Sequence, residues 1–542
     1  MLDVCLVVEG TYPYVRGGVS AWVHDLVGAL STLRFGIVHV GAGRDAARVA
    51  QYPLPDNVER FVEVFIHDPQ PRRLPRLRDR WGAGRRRREA FAVLEPFYEA
   101  CIEGRPIEHR TVDEVLRIFA GAAPWRLTIE DLLGSREGWA VFERLAARHA
   151  PRASLVDLFW NVRFSHLPLA RLLRTTVPEA RVYHSPSTGY AGLLAAYAAR
   201  RRGAALLVTE HGLYTREREI EIEQARWLPD DDDEAGLRAR REPGLFKRWW
   251  LELFERMGRY AYAQSVEVIT LFEGNRRLQL RAGAPPSRSL VIPNGVSLER
   301  FGARRSRGQP LERKAAAHVA LVGRVVPIKD VKTFLRAARI VLERHEAVQI
   351  DVVGPVDEDE AYYRECLHEA RLLGIAERVR FPGPVDVARL LEDLDCLVLT
   401  SLSEGQPLVV LEAMAAGVPV VATRVGACPE LIEGADAADR ALGAAGVVCP
   451  VGRADEVARA ICRCLEDRRA RAAMAAAGMR RVRRYYRRER VHALYEEIYQ
   501  SYRDRHLVGQ RFVDPGPGWG SFARALEGNA APALARMGQR AL

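Results

Sequence analysis

Two glutamates with seven residues between them, Glu404 and Glu412, have the spacing in this chain that points most directly to chemistry. The apolar run at residues 396–400 predicts a buried strand that ends just before Glu404. Pro407 suits the first turn of a helix, and Gly417 is a typical stop for it. One carboxylate would then lie on the loop after a strand, and the other about two turns inside the next helix. Carboxylates placed in this way can accept hydrogen bonds from the vicinal hydroxyls of a sugar or a ribose.

Two cations upstream of this segment, Arg324 and Lys329, also follow a predicted strand, at residues 318–322. They lie on one strand-to-helix loop, next to a helix that we expect to begin at Asp330. Cations beside a helix N-terminus form a site for a diphosphate, in which arginine supplies paired donors and lysine a point charge. The alternative is an ordinary solvated loop, with Glu412 as a surface residue of its helix.

The first half of the chain has its own candidates at strand ends. The pair Gly17 and Gly18 follows the first strand and could let backbone N–H groups approach a phosphate or a sugar, although a plain tight turn is the alternative. The G-x-G-x-x-G order of a dinucleotide site is absent. His211, after the strand at residues 205–208, could contact a donor sugar, or it could be a structural histidine. His184 is a weaker candidate of the same kind.

An acidic run at residues 230–234 offers hard oxygen ligands of the kind that Mg²⁺ prefers. It lies in a polar stretch that contains proline, and no strand precedes it. We therefore favour a solvated acidic loop over a metal site.

Strands and helices alternate in two blocks, which predicts an α/β protein with two parallel-sheet domains. Ligands of such sheets bind at the carboxyl ends of the strands, where the candidate residues fall. The expected division is an N-terminal domain at 1–300 with a helical insertion at about 71–152, a C-terminal domain at 301–485, a C-terminal helix at 486–506 that returns to the first domain, and a tail at 507–542. The strands are expected at residues 4–8, 36–40, 181–183, 205–208, 266–269, 318–322, 350–353, 379–381, 396–400 and 418–421.

Length and composition limit the class of protein. A chain of 542 residues is too long for one core, and 48% apolar with 28% charged residues is typical of a soluble globular protein. The N-terminus lacks a basic leader, and no apolar stretch is long enough to cross a membrane, so we expect a cytoplasmic protein. The eight scattered cysteines favour free thiols over a zinc site.

A formal net charge of +11 favours anionic ligands or anionic lipid surfaces. The charge is dispersed, and the arginine cluster at residues 85–88 has no interleaved aromatic residues. Nucleic-acid binding is therefore the least favoured hypothesis.

The double-glutamate segment, together with the two cations upstream, resembles the GT-B glycosyltransferases of family 4. The resemblance implies two Rossmann-like domains that face an interdomain cleft. In that family's arrangement, Arg324 and Lys329 would bind the donor diphosphate, and Glu412 would bind the ribose. Glu404 and backbone groups near Gly405 would bind the hexose.

The same resemblance assigns roles in the first block. Gly17 and Gly18 would close on the donor, and His211 would contact the transferred sugar, so that His211 and Glu404 are the catalytic candidates. The reaction would retain the anomeric configuration and would need no metal or cofactor beyond a UDP-sugar as donor.

The motifs at residues 9–20 and 209–212, with the helical insertion, are similar to the PelF-type cytosolic glycosyltransferases of Pel exopolysaccharide synthesis. This implies hexosyl transfer from a UDP-sugar to a growing exopolysaccharide. The implied partners are a nucleotide sugar, a carbohydrate acceptor and inner-membrane polysaccharide synthase components that could hold the protein at the membrane. The alternative is a non-catalytic nucleotide-sugar-binding subunit of such a complex.

Overall fold

The computed structural model describes residues 1–44, 48–68, 82–151, 153–223, 244–302, 316–507 and 512. Outside these residues lie the acidic run at 230–234, the start of the predicted insertion near 71 and nearly all of the tail predicted at 507–542. The chain forms two compact units. The first comprises Met1–Ile269, Leu278–Leu290 and Glu497–Leu542, and the second comprises Thr270–Arg277 and Val291–Glu496.

The observed division differs from the predicted boundary at residue 300. The second unit takes in Thr270–Arg277 and then the chain from Val291, because the segment after Val291 is hydrogen-bonded within that unit. Asn294 donates its backbone N–H to Gln406 at 2.6 Å, and Val296 donates to the carbonyl of Tyr486 at 2.8 Å. These contacts join residues that are more than a hundred positions apart, which local composition could not indicate.

The sheet of the first unit has seven strands in the order β3-β2-β1-β4-β5-β6-β7, and the pairs from β3 through β5 are parallel. The strands are β1 (Leu2–Glu9), β2 (Phe35–Gly41), β3 (Val58–Phe65), β4 (Ala180–Ser185), β5 (Ala205–Glu210), β6 (Glu267–Thr270) and β7 (Ser289–Val291). β1 and β2 are buried along nearly their whole length, as expected of central parallel strands. The sequence did not predict β3 or β7.

Helices of the first unit cover both the sheet connections and a helical region between β3 and β4. They are α1 (Gly18–Ala29), α2 (Ala83–Ile102), α3 (His109–Phe119), α4 (Ile129–Gly134), α5 (Arg136–His149), α6 (Leu155–Leu173), α7 (Tyr190–Arg202), α8 (Tyr214–Glu223) and α9 (Leu245–Gln264). α10 (Glu273–Arg281) is shared between the units. The helices of the region between β3 and β4 pack with α9 around the buried side chains of Tyr98, Phe142 and His166.

The sheet of the second unit has six strands in the order β10-β9-β8-β11-β12-β13, and all five pairs are parallel. The strands are β8 (Ala317–Val322), β9 (Val348–Val353), β10 (Val379–Gly383), β11 (Cys396–Leu399), β12 (Val420–Thr423) and β13 (Gly446–Cys449). The strand predicted at 418–421 instead begins after Pro419, since proline has no N–H to donate to the ladder.

Helices cover both faces of this second sheet. They are α11 (Leu298–Gly302), α12 (Val331–Arg344), α13 (Glu360–Leu372), α14 (Val387–Asp393), α15 (Leu408–Ala415), α16 (Cys428–Glu433), α17 (Ala437–Arg440), α18 (Ala454–Glu466), α19 (Arg468–Tyr485) and α20 (Arg488–Leu507). The last of these continues into the first unit from Glu497. The prediction of two parallel α/β domains is therefore confirmed.

Within the described ranges, every helix is either too short or too polar to cross a bilayer.

Candidate functional site

A lysine–glutamate contact joins the two segments that the sequence singled out in the second unit. β8 and β11 are neighbours in the sheet, so the loops that follow them lie side by side at its carboxyl edge. Lys329 Nζ lies 2.5 Å from Glu404 Oε1, and Ser401 donates its hydroxyl to the same oxygen at 2.5 Å. The side chains of Lys329 and Glu404 are 17% and 10% exposed. The contact is thus a partly buried charge pair at the edge where ligands of such sheets bind.

Backbone contacts fix the loop that carries Lys329. The hydroxyl of Thr400 donates to the carbonyls of Lys329 and Asp330, at 3.1 and 2.9 Å, and Leu402 donates its N–H to Ile328 at 2.8 Å. Asp330 caps α12 by accepting the N–H of Thr333, which confirms the predicted start of that helix. The lysine is therefore held by the neighbouring strand rather than by its own flexible loop.

Gly405 is positioned by a close backbone approach that the sequence did not reveal. Gly426 has a φ of +50°, and a Cβ at this residue would lie 2.1 Å from the carbonyl oxygen of Glu404 and 2.4 Å from that of Gly405. Ala427 also donates its N–H to Gly405 at 2.9 Å. Only glycine fits there without displacing the loop. The signal available in the sequence was a glycine shortly after the strand β12.

Gln406 was also missed by the sequence reasoning. Its side chain is buried, donates to the carbonyl of Leu271 at 3.1 Å and accepts the N–H of Asn294 at 2.6 Å. It ties the double-glutamate segment to two distant stretches of the second unit. A polar residue between the two glutamates was visible in the sequence, but its partners were not.

Arg324 does not take part in the contact between Lys329 and Glu404. It forms an ion pair with Glu358, and the two side chains are 49% and 47% exposed. Its loop is fixed by Gly354, with a φ of +144°, where a Cβ would lie 2.0 Å from the carbonyl oxygen of Gly323. Because exposed ion pairs contribute little to stability, a phosphate could replace Glu358 as the partner of Arg324 at small cost.

Glu412 lies in the second turn of α15, on the helix predicted from the sequence. Its side chain is largely buried, and burial raises the pKa of its carboxyl to about 7. Within the described residues, the carboxyl makes no hydrogen bond or salt bridge, and the positive charge of Arg300 acts against the effect of burial on its pKa. The helix ends as predicted, because Gly417 has a φ of +71° and Val418 donates to the carbonyl of Ala413 at 2.8 Å. A largely buried carboxyl without a partner among the described residues is suited to accepting hydrogen bonds from the hydroxyls of a ligand.

This carboxyl leads to a prediction on proton release. The family resemblance implies that Glu412 binds the ribose of UDP. Because ribose hydroxyls donate best to the ionised form, such binding should lower the pKa of Glu412 below about 7 and release protons near neutral pH. The affinity for UDP should therefore rise as the pH increases through about 7. Titration calorimetry at pH 6.5 and 8.5, in buffers of different ionisation enthalpy, measures this release.

The matched control for this measurement is Glu412→Gln, which keeps the shape of the side chain and cannot ionise. The phosphates of UDP contribute equally to proton release in both proteins, so the difference reports on Glu412. Equal proton release from the two proteins would contradict the role assigned to Glu412.

His211 follows β5 in the first unit, at the strand end that the sequence predicted. Its Nε2 is buried and has no hydrogen-bond partner among the described residues, and its ring lies edge-on to Trp22 with the centroids 4.9 Å apart. Burial lowers the pKa of His211 to about 4, so the ring is neutral at pH 7. A neutral imidazole can donate or accept one hydrogen bond to a ligand, but it supplies no positive charge.

His184 has a structural role instead. It is fully buried, with Nδ1 2.6 Å from the hydroxyl of Tyr499 and Nε2 2.8 Å from that of Thr209. Burial lowers its pKa to about 3. Both ring nitrogens are occupied by protein partners, so His184 positions β4 and β5 against α20.

Glu210, beside His211, is a buried carboxyl that the sequence reasoning left without a role. It accepts hydrogen bonds from Thr188 at 2.8 Å, from Gln279 at 2.9 Å and from the hydroxyl of Tyr262. Burial raises its pKa. These bonds join the segments on either side of His211, and so they fix the backbone that presents the histidine.

Gly17 and Gly18 lie where β1 leads into α1. Gly17 is the N-cap of α1 in extended geometry, and a Cβ on either glycine would have no described atom within 4 Å. The fold itself therefore does not require glycine at these two positions. The approach of a ligand to this backbone stays a prediction.

One cluster outside these residues has metal-ligand chemistry. Ligand atoms of His345, Cys462 and Glu466 lie within 4.8 Å of one another, and His345 Nε2 is 3.0 Å from Glu466. His345 follows the end of α12, at the edge of the sheet opposite to Lys329. This group is therefore separate from the candidate site.

Two family profiles match the chain. The profile described as "Domain of unknown function (DUF3492)" matches residues 2–287, and the profile "Glycosyl transferases group 1" matches residues 316–467. The second match covers β8 to α18, including both cations and both glutamates of the candidate site.

Curated relatives align with only part of the chain. The D-inositol 3-phosphate glycosyltransferase 2 of Catenulispora acidiphila is 38% identical over 189 residues, which covers 31% of this chain and 44% of the relative. The MMP alpha-(1->4)-mannosyltransferase of Mycolicibacterium hassiacum is 31% identical over 241 residues, covering 43% and 51%. The chain thus spans about half or less of the length of these relatives.

A solved structure similar to the whole fold is that of HepE from Anabaena, determined in complex with UDP. Its TM-score is 0.55 at 14% identity, covering 92% of this chain and 99% of that protein. At this identity the comparison shows the fold alone, which is the GT-B fold. Because the first profile matches more than half of the 542 residues, the chain belongs to the DUF3492 family, and its second unit carries a glycosyl transferases group 1 domain.

Proposed function

We propose that the protein is a retaining glycosyltransferase that moves a hexosyl unit from a UDP-sugar to a growing exopolysaccharide of the Pel type. The observation that carries this proposal is the pairing of Lys329 with Glu404 at the carboxyl edge of a parallel sheet. Glu412 lies in the second turn of the helix that follows Glu404. The matched glycosyl transferases group 1 profile and the names of the curated relatives support it.

Lys329 has the geometry of a leaving-group stabiliser. Cleavage of the sugar–diphosphate bond builds negative charge on the β-phosphate oxygen, and a fixed cation stabilises that charge better than reorienting water does. The hydrogen bonds of Thr400 to the backbone of Lys329 and Asp330 hold this cation in place before the substrate arrives. Arg324 adds a second cation by exchanging Glu358 for phosphate.

Glu404 and Glu412 bind the two uncharged sugar groups of the donor, the hexose and the ribose. Glu404 lies on the loop with Gly405 and accepts hydroxyls of the hexose, while Lys329 keeps its carboxylate oriented. Glu412 accepts the ribose hydroxyls. His211, Gly17 and Gly18 act on the transferred sugar and the donor from the first unit, as the family resemblance implies.

The transfer step is a front-face substitution. The bond between the anomeric carbon and the β-phosphate oxygen breaks, and a bond to the acceptor hydroxyl oxygen forms on the same face. The released phosphate oxygen takes the acceptor proton. Neither glutamate is required as a nucleophile in this scheme.

UDP is the preferred nucleotide in the proposal because HepE, which shares the fold, was solved with UDP. The Pel-type acceptor rests on the motifs of the first unit, and membrane synthase components are the proposed partners.

Thermal-shift measurements with UDP, GDP and ADP, and with their sugars, test the function. A nucleotide at about 100 times its Kd stabilises the folded state by about 2.7 kcal/mol, which raises the melting temperature by several degrees. We expect this rise with UDP and release of UDP from a UDP-hexose in the presence of acceptor. A rise without turnover would favour the non-catalytic binding subunit, and no rise with any nucleotide would end the proposal.

A further inference from the structure

An exposed aromatic ribbon runs along the first half of α6, in the helical region of the first unit. Its members are large apolar side chains on the outer face of the helix, each between 38% and 68% exposed: Leu155, Val156, Phe159, Trp160 and Phe164. The opposite face of the same helix is buried through Leu158, Val162 and Leu169. α6 is therefore apolar on both faces, and within the described residues only one of these faces is buried against the protein.

The rings of the ribbon are organised by contact with one another. Phe159 stacks on Trp139 of α5, with an interplanar angle of 8° and centroids 5.9 Å apart. Trp160 lies edge-on to Phe159 and stacks on Phe164 at 5.2 Å. The ribbon is therefore a continuous, ordered surface rather than a set of isolated exposed residues.

The charge along α6 favours an anionic occupant. Arg163 is exposed on the face that carries the ribbon, between Trp160 and Phe164. Asp157 is the only acidic residue of this helix, and it is engaged with the N-cap residue Ser154 at 2.7 Å.

The size and chemistry of the ribbon distinguish between possible occupants. Five partly exposed side chains present a few hundred Å² at most, whereas a stable protein interface buries about 800 Å² on each partner. A saccharide needs open ring faces flanked by hydrogen-bonding groups, but one face of Phe159 and one face of Trp160 are covered by other rings. Leu155 and Val156 offer no hydrogen bond. The surface of an anionic lipid bilayer, a shallow apolar layer beneath anionic headgroups, fits both the size and the chemistry of the ribbon.

We propose that the outer face of α6 docks on the surface of an anionic lipid bilayer, with Leu155, Phe159, Trp160 and Phe164 inserted at the interface and Arg163 at the level of the headgroups. The proposal stands on the first unit alone and does not depend on the proposed sugar transfer.

Flotation of the full chain with vesicles tests the docking. We expect the protein to float with phosphatidylcholine vesicles that contain phosphatidylglycerol and to float less with pure phosphatidylcholine. In the double variant Phe159→Ser/Trp160→Ser, the partition coefficient should fall by about tenfold for each aromatic residue removed. Arg163→Glu should weaken binding to the anionic vesicles while leaving the apolar contacts intact.

Leu372→Ser is the matched control, because Leu372 is 71% exposed on α13 of the second unit. It should bind vesicles as the unchanged protein does, and circular dichroism verifies that each variant folds. The proposal is overturned if the unchanged chain does not bind anionic vesicles, or if the control loses binding to the same extent as the double variant. It is also overturned if the double variant abolishes self-association or oligosaccharide binding while vesicle binding persists, because a second copy or a glycan would then be the occupant.

Discussion

Replacing Lys329 by alanine should lower kcat for sugar transfer by about 10²–10³-fold, the loss typical of removing one fixed donor from a developing anion. The structure gives the reason for so large an effect. The lysine is only 17% exposed, and its backbone is fixed by Thr400, so water cannot take its place with the same orientation. KM should change less than kcat, because the charge develops mainly in the transition state.

Lys332→Ala provides the matched control for this experiment. Lys332 lies three residues after Lys329, in the first turn of α12, and its ammonium pairs with Glu365 at 2.7 Å on the outer surface. We expect near-normal turnover and a similar melting temperature in that variant. Equal kcat in the Lys329 and Lys332 variants would contradict the assignment of Lys329 to the donor diphosphate.

Loss of Lys329 also leaves Glu404 without its cation, which complicates the comparison. Ser401 still donates to the carboxylate, so the loop keeps one of its two side-chain contacts. The variant Glu404→Gln separates the two effects, because it removes the charge pair and keeps the cation. If Lys329 acts on the phosphate, Glu404→Gln should retain more activity than Lys329→Ala.

Much of this arrangement could be predicted from local sequence. A strand followed by a helix places its connecting loop at the carboxyl edge, and the apolar runs at β8 and β11 identified both strands. The caps at Asp330 and Gly417 depend on neighbouring residues only, and both predictions are confirmed. The sequence thus indicated which residues share an edge of the sheet.

The contacts that set the geometry of the site could not be predicted in this way. Gly426 touches the carbonyls of Glu404 and Gly405, and Gln406 reaches back to Leu271, across 135 residues of chain. Such contacts form when distant parts of the chain pack together, and no periodic pattern in a single sequence indicates them. The pairing of Arg324 with Glu358 rather than with the lysine site is another example.

Short strands were missed for a different reason. β7 has three residues, which is too few for an apolar run to be recognised. β13 has four residues, as do three strands that were predicted, but it begins with Gly446 and its two central residues are only partly buried. β3 is longer, but it lies at the edge of the sheet and carries Glu59, Arg60 and Glu63, so it lacks the apolar run of the buried strands. β3 lies shortly before the helical region, in a stretch where the sequence predicted no strand.

Replacing Arg481 by alanine should destabilise the second unit by about 3–5 kcal/mol, the cost of leaving a buried charge without its partner. Its guanidinium is fully buried in α19 and lies 2.5 Å from Asp439. It also donates to the carbonyls of Ile432 at 2.8 Å and of Gly443 at 2.8 Å. One side chain therefore satisfies the ends of α16 and α17, and urea denaturation should show a large fall in midpoint.

The neighbouring substitution Arg480→Ala separates this effect from a general loss of helix packing. Arg480 is exposed and donates to the carbonyl of Leu442 at 3.0 Å, so its removal should cost less than about 1 kcal/mol. The double variant Arg481→Met/Asp439→Leu removes both charges and should recover part of the stability lost in Arg481→Ala. Failure to recover would mean that the carbonyl contacts, rather than the charge pair, hold α16 and α17 against α19. In either case the effect should appear as lost stability in the folded protein, with nucleotide affinity per folded molecule unchanged, since Arg481 contacts none of the residues assigned to the donor.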